Sequence, residues 1–160
     1  MNAHDVLKYG NLTLIRTIEG LPETNWMAGG VCGWWSVKDI MAHLTSFEHV
    51  LVEVLTSFLG GGPTPTLDQY TSVSGDQFNQ VQVSLRKDKT PAEVLAEYHD
   101  RQACTMTLVA RIPAETLRQP GAIPWYGMEY SLDDFITYAY YGHKREHGAQ
   151  IAVFRDQIKR

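Results

Sequence analysis

The chain has 160 residues, of which 44% are apolar and 20% are charged, and its formal net charge is −4. This length and composition are typical of a single globular domain, and we expect one domain over residues 1–160. The acidic balance and the lack of a long basic run argue against a nucleic-acid partner.

The sequence also bears on cellular location. Its apolar runs fall well short of the roughly 20 residues that a membrane span requires, and the first residues lack the pattern of a signal peptide. We therefore expect a cytoplasmic protein with no membrane partner. In that compartment Cys32 and Cys104 are expected to be reduced, although spacing alone leaves a disulfide open.

Two long helices are predicted in the first 60 residues. An apolar stripe predicts a first helix over residues 5–19, which ends at the following Gly-Leu-Pro. Ser36 is a good N-cap, and Asp39 three residues later suits the positive end of the helix dipole. The second helix should run from there to the three glycines at 60–62.

The middle of the chain alternates polar and helical segments. Residues 63–75 are rich in Thr and Pro, which predicts a loop, and a short helix should follow over residues 76–86. Thr90, Pro91 and Glu93 match a capping box with proline at the first helical position, so a third long helix should reach Arg111.

A fourth long helix is predicted at the end of the chain. Ser131 and Asp134 repeat the cap pattern, and the helix should extend to Lys159. Long amphipathic helices with few strand signals favour an all-α bundle. The residues expected on the inner face of this helix are Leu132, Ile136, Ala139, His143, His147, Ile151, Phe154 and Ile158.

Histidines on that inner face are the main chemical signal in the sequence. His143 and His147 are four residues apart, so their rings lie on one side of the helix and can reach the same ion. Spacing alone is weak evidence, but imidazole nitrogens inside a bundle need polar partners. A metal ion is one solution, and hydrogen bonds to side chains or water are another.

His43 is the third candidate ligand. It lies one turn from Ile40 and Phe47, on the flank of the second helix's apolar stripe. Three imidazoles from two helices would leave coordination positions open for water or substrate, as a catalytic metal needs.

Four further residues are candidates for the surroundings of the site. Glu48 and Glu146 can each orient an imidazole by accepting its second N–H. Asn79 can face the cavity and bind substrate, although a surface or capping role is equally open. Trp125 lies in the loop before the last helix and can form the wall of a pocket.

Three motifs resemble those of the DinB-like (YfiT-like) superfamily. GWWSVKDIMAHLTSFE is similar to the family's second-helix motif, whose metal-binding histidine corresponds to His43. GHKREHGAQI resembles the last-helix motif, whose two histidines correspond to His143 and His147. The segment DQFNQVQVSLRKDKTPAEVLAEY resembles the middle region and has an Asn at the place of Asn79.

The resemblance implies a four-helix bundle with up-down-down-up topology and a short extra helix in the long connection. It also implies a three-histidine site for zinc or nickel, and a homodimer. Members of the family include transferases and isomerases that use a low-molecular-weight thiol, and hydrolases. A metal-dependent enzyme acting on a small molecule is therefore the leading hypothesis, with thiol transfer ranked before hydrolysis. The alternative is a non-catalytic stress or resistance protein of the same fold that binds or sequesters a small molecule.

Overall fold

The computed structural model describes residues 2–159, which are helical with no β-strand, as predicted. A π-helical segment, Thr137–Gly142, joins the last two helices into one continuous rod. The α-helices are α1 (Ala3–Ile18), α2 (Glu23–Trp26), α3 (Val37–Ser57), α4 (Pro65–Ser72), α5 (Gly75–Ser84), α6 (Pro91–Val109), α7 (Ala114–Leu117), α8 (Leu132–Ile136) and α9 (His143–Ile158).

Local capping explains why three of the predicted helices begin where expected. In α3 the Ser36 hydroxyl accepts from the Asp39 backbone N–H, and the Asp39 carboxylate accepts from the Ser36 N–H. The same reciprocal box opens α6 at Thr90 and α8 at Ser131. Each box satisfies backbone donors that have no partner within the helix.

The loop predicted over residues 63–75 is wrong in part, because it contains helix α4. Its N-terminal N–H groups are capped by a distant residue. The Glu53 carboxylate, on α3, accepts from the backbone N–H of Thr66 at 3.2 Å and of Leu67 at 2.7 Å. Leu67 and Tyr70 are half-buried against the core. The polar composition of residues 63–75 indicated a loop. The cap of α4 could not be recognised there, because it is supplied by Glu53 on α3.

The last predicted helix exists but is not uniform. Hydrogen bonding in the π-helical segment shifts the phase of the residues that follow. Within the segment, Tyr140 is only 2% exposed and belongs to the core, while Ala139, which was expected on the inner face, is half-buried against it. At the far end Ile158 is 42% exposed and does not belong to the inner face.

Two helix pairs hold the site in place. Along α3 and α6, the Lys38 ammonium donates to the Lys87 carbonyl just before α6, and His49 contacts Glu97 further along. On α1, Gly10 lies against Tyr141 of the π-helical segment, and the Thr17 carbonyl accepts from the Arg155 guanidinium of α9.

No helix within residues 2–159 combines the length and the apolar character needed to cross a membrane.

Candidate metal centre

Two helices bring the three predicted histidines together. His43 lies in the second turn of α3, while His143 is the first residue of α9 and His147 lies one turn later. His43 and His147 are buried, and His143 is half-buried. One ring nitrogen from each residue can be chosen so that all three lie within 4.8 Å of one another.

The Nε2 atoms converge on His143. Its Nε2 is 2.8 Å from Nε2 of His43 and 3.0 Å from Nε2 of His147. Three nitrogens this close cannot all present lone pairs to one another without repulsion. Either a proton must lie between each contacting pair or a cation must lie among them.

Burial keeps these imidazoles neutral. The pKa of His43 is lowered to about 2, first by burial and then by the two other histidines. The pKa of His143 is lowered to about 3, first by burial and then by His147 and Lys144. Burial also lowers the pKa of His147. Neutral imidazole is the form that binds metals, so the site is ready for an ion at neutral pH.

Gln150 orients the His147 ring, a role that sequence reasoning missed. Its Oε1 lies 2.8 Å from Nδ1 of His147. Because an amide oxygen only accepts, Nδ1 must carry the proton, which leaves the lone pair on Nε2 and directs it to the cluster. The i, i+3 spacing from His147 was a usable signal for this contact.

Asn79 occupies the corresponding place beside His43. A hydrogen bond between the two side chains opposes the lowering of the His43 pKa. Its geometry is poor, since neither Nδ1 of His43 nor Oδ1 of Asn79 has a well-formed partner among residues 2–159. The structure therefore brings Asn79, on α5, to the edge of the site.

Aromatic rings pack against the histidine cluster. Trp35 packs 5.0 Å from the His43 ring, and Phe47 lies 4.9 Å from His43 and 4.6 Å from His143 between centroids. A tight turn at Cys32–Trp35 directs Trp35 to the histidines, while the neighbouring Trp34 is 91% exposed.

A groove of about 410 Å³ borders the cluster. Trp35 and Asn79 line the groove and also lie beside His43, so the groove borders the histidine cluster. The remaining lining residues are Cys32, Gly33, Trp34, Asp76 and Gln80.

Glu48 does not contact a histidine; it belongs to a buried ion pair. Its Oε1 lies 2.5 Å from Nζ of Lys144, and its Oε2 accepts from the Thr105 hydroxyl at 2.9 Å. The side chains of Glu48 and Lys144 are 0% and 3% exposed. Burial lowers the pKa of Lys144, but the nearby Glu48 carboxylate raises it by more, so the Lys144 ammonium remains charged. Lys144 was not identified from the sequence, because its partner lies on another helix.

The other candidates lie outside the cluster. Glu146 is exposed on α9. Trp125 packs against Tyr70 and Phe135 and, with Tyr126, lines a separate pocket. His99 is also exposed.

The histidines form a donor set that can hold a divalent metal ion. Zinc–nitrogen distances of 2.0–2.1 Å in tetrahedral geometry place ligand nitrogens about 3.3 Å apart. The separations of 2.8 Å and 3.0 Å from Nε2 of His143 are shorter than this value, and the ligand nitrogens of all three residues lie within 4.8 Å of one another. The neutral imidazoles and the Gln150 contact meet the further requirements of ligand protonation and orientation.

A comparison with protein families agrees with this geometry. The family model described as the DinB superfamily matches residues 13–151, which include all three histidines. The chain therefore belongs to the DinB superfamily. Searches of curated proteins and of solved structures gave no match.

Proposed function

We propose that His43, His143 and His147 bind one divalent metal ion, and that the protein is a metal-dependent enzyme acting on a small molecule. The observation that carries the proposal is the convergence of the three Nε2 atoms, beside a groove that Trp35 and Asn79 line. A metal ion in such a site supplies Lewis acidity, which lowers the pKa of a coordinated water or thiol. Zinc and nickel are the metals we favour, since imidazole suits both and the family resemblance points to them.

The side chains around the cluster suit a thiol-dependent transferase better than a hydrolase. Hydrolysis usually employs a carboxylate or histidine as general base near the metal. Within the described part of the chain, Glu48 is bound to Lys144 and Glu146 is exposed. Asp76 is the one carboxylate lining the groove, and it lies in the first turn of α5. Transfer from a metal-activated thiol to an electrophile needs less help from a base, because a thiol ionises near neutral pH.

The exposed Trp34 supports a second candidate function. A large indole beside the groove provides contact area for a flat or apolar ligand. A protein that binds or sequesters a small molecule without converting it would use the same groove.

The arrangement of the long helices completes the proposal. We infer an up-down-down-up bundle of α1, α3, α6 and the rod formed by α8, the π-helical segment and α9, with α4 and α5 in the long connection. The contacts along α3 and α6, and along α1 and the rod, support it, since in each pair the contacts advance in the same direction along both helices. A single domain, a homodimer and a cytoplasmic location remain proposals based on composition and family resemblance.

Metal analysis tests the central step. Protein purified without a nickel column should contain close to one divalent ion per chain by elemental analysis. The His143→Ala variant, prepared in parallel, should contain little. Less than about 0.2 ion per wild-type chain, with no uptake after incubation with zinc or nickel, would contradict the proposal.

The reaction type is tested on the loaded protein. Incubation with electrophiles in the presence and absence of bacillithiol or mycothiol should give thiol-dependent turnover. Turnover without thiol would indicate hydrolysis. Tight binding without any turnover would favour the sequestering function.

A further inference from the structure

The buried ion pair beside the histidine cluster connects all four long helical segments. Glu48 lies on α3, Lys144 on α9, and Thr105, which donates to Glu48, on α6. Nζ of Lys144 also lies 5.5 Å from the centre of the Tyr98 ring on α6. The Tyr98 hydroxyl in turn donates to Asn11 on α1 at 2.9 Å.

A contribution to stability does not by itself explain the presence of a buried ion pair. Removing two charges from water costs free energy that their attraction often fails to offset, so an apolar pair of similar volume is commonly as stable or more so. What the ion pair adds is geometric selectivity, because the Glu48–Lys144 contact and the Thr105 hydrogen bond to Glu48 are both made in one arrangement of the helices only.

The two residues of the ion pair lie close in sequence to the proposed metal ligands. Lys144 directly follows His143, about 100° around the helix, and Glu48 lies little more than one turn after His43. A one-residue slip of α9 would therefore break the ion pair and turn His143 away from His43 at the same time.

The π-helical segment lies directly before α9, so the rotation of α9 about its axis has to be fixed by other contacts. It ends at Gly142, immediately before His143. Such segments change the phase of a helix by inserting an extra residue into a turn, and the phase after them has to be held by contacts. Lys144 is the first fully buried residue after the segment.

We propose that the Glu48–Lys144 ion pair is a positioning device for the metal centre: it fixes the rotation of α9 against α3 so that His143 and His147 face His43. This inference rests on the proposed metal-binding function. Both residues act through the histidines and neither is a ligand. Metal ligands tolerate displacements of only about 0.5 Å, so a modest rotation is enough to weaken binding.

The test is a double variant, Glu48→Leu with Lys144→Met, which removes both charges and keeps the volume. The readouts are the thermal midpoint, the Co²⁺ dissociation constant and the visible d–d spectrum of bound Co²⁺. We expect a midpoint close to that of the wild type, with Co²⁺ binding weakened at least about tenfold and an altered spectrum, as when groups that orient ligands are lost. If the Glu48→Leu, Lys144→Met variant does not fold, the double variant Glu48→Gln with Lys144→Met replaces it in the same measurements. This second variant keeps an acceptor for the Thr105 hydroxyl.

A matched control uses the ion pair between Arg86 and Glu97, which lies outside the histidine cluster. The single variant Arg86→Met breaks this ion pair but leaves Glu97 in contact with His49 and Lys89, and it should bind Co²⁺ within about twofold of the wild type. Wild-type affinity and spectrum in a folded Glu48/Lys144 double variant would overturn the positioning role alone. Failure of the wild-type protein to bind Co²⁺ would overturn the proposed function and this inference together.

Discussion

His43 and His143 are 100 residues apart in the chain, yet their Nε2 atoms lie 2.8 Å from each other. The contact joins the beginning of α3 to the beginning of α9, and both rings are neutral because burial lowers the pKa of each. Two neutral imidazoles at this distance either share one proton in an N–H···N hydrogen bond or both direct a lone pair to the common centre. The properties of the site depend on this convergence.

The lowered histidine pKa values predict how the stability of the metal-free protein depends on pH. In the unfolded chain each imidazole titrates near pH 6.5, whereas folded His43 and His143 remain neutral down to about pH 3. Between these limits the unfolded state binds more protons, so acid favours unfolding. The stabilisation is complete above pH 6.5 and is lost as the pH falls. Each such histidine contributes a slope of up to about 1.4 kcal/mol per pH unit.

Urea unfolding of chelator-treated protein between pH 7 and pH 5 measures this slope. Over that interval most carboxylates are still ionised, so the histidines dominate the change. The His143→Asn variant should show a slope smaller by about 1 kcal/mol per pH unit. Equal slopes in the two proteins would mean that His143 is protonated in the fold.

Removing the central ligand should abolish tight metal binding. Nε2 of His143 is in contact with the Nε2 atoms of both other histidines, so His143→Ala leaves two ligands with a gap between them. We expect the Zn²⁺ dissociation constant to rise at least about 100-fold in calorimetric titrations. His99→Ala, a change at an exposed histidine, is the control and should bind as the wild type does. Comparable loss in both variants would argue against a specific site.

Much of the fold followed from local sequence signals. Ser36, Thr90 and Ser131 each began a helix at the predicted position, because a capping box is formed by residues three apart. Helix α4 was missed because Glu53, which caps it, lies at least 13 residues away. A cap supplied from another helix cannot be recognised from the residues next to α4 in the sequence.

The three histidines of the candidate site could be predicted from the sequence, and the contacts that support them could not. His143 and His147 keep the i, i+4 spacing despite the preceding π-helical segment, since regular α-helix resumes at His143. Within that segment, however, the helical phase differs from that of an α-helix, and Tyr140 is more deeply buried than the predicted Ala139. A lysine such as Lys144 is expected in solvent unless its partner is known, and nothing near it in sequence identifies Glu48.

Two consecutive tryptophans should differ sharply in their contribution to stability. Trp35 packs on His43 and His147, whereas Trp34 is 91% exposed. Trp35→Ala should lower the free energy of unfolding by about 2 kcal/mol, since it removes a large half-buried ring. Trp34→Ala should change it by no more than about 0.5 kcal/mol. Urea unfolding of both variants measures the difference, and a larger effect at Trp34 would mean that its indole is covered in solution.

Gln150 should control metal affinity without binding the metal. Its Oε1 lies 2.8 Å from Nδ1 of His147 and holds the proton there, so that Nε2 faces the cluster. Gln150→Leu keeps most of the side-chain volume but removes the acceptor, which lets the ring rotate or change tautomer. We expect Zn²⁺ affinity to fall by about 10- to 100-fold, the usual effect of losing a group that orients a ligand.

The matched control is Gln157→Leu, at an exposed position two turns further along α9, which should leave the affinity unchanged. Calorimetric titration of both variants with Zn²⁺, together with their thermal midpoints, separates a local effect on the ring from a loss of fold. If Gln150→Leu binds Zn²⁺ as tightly as the wild type, packing against Trp35 rather than the amide determines the orientation of the His147 ring.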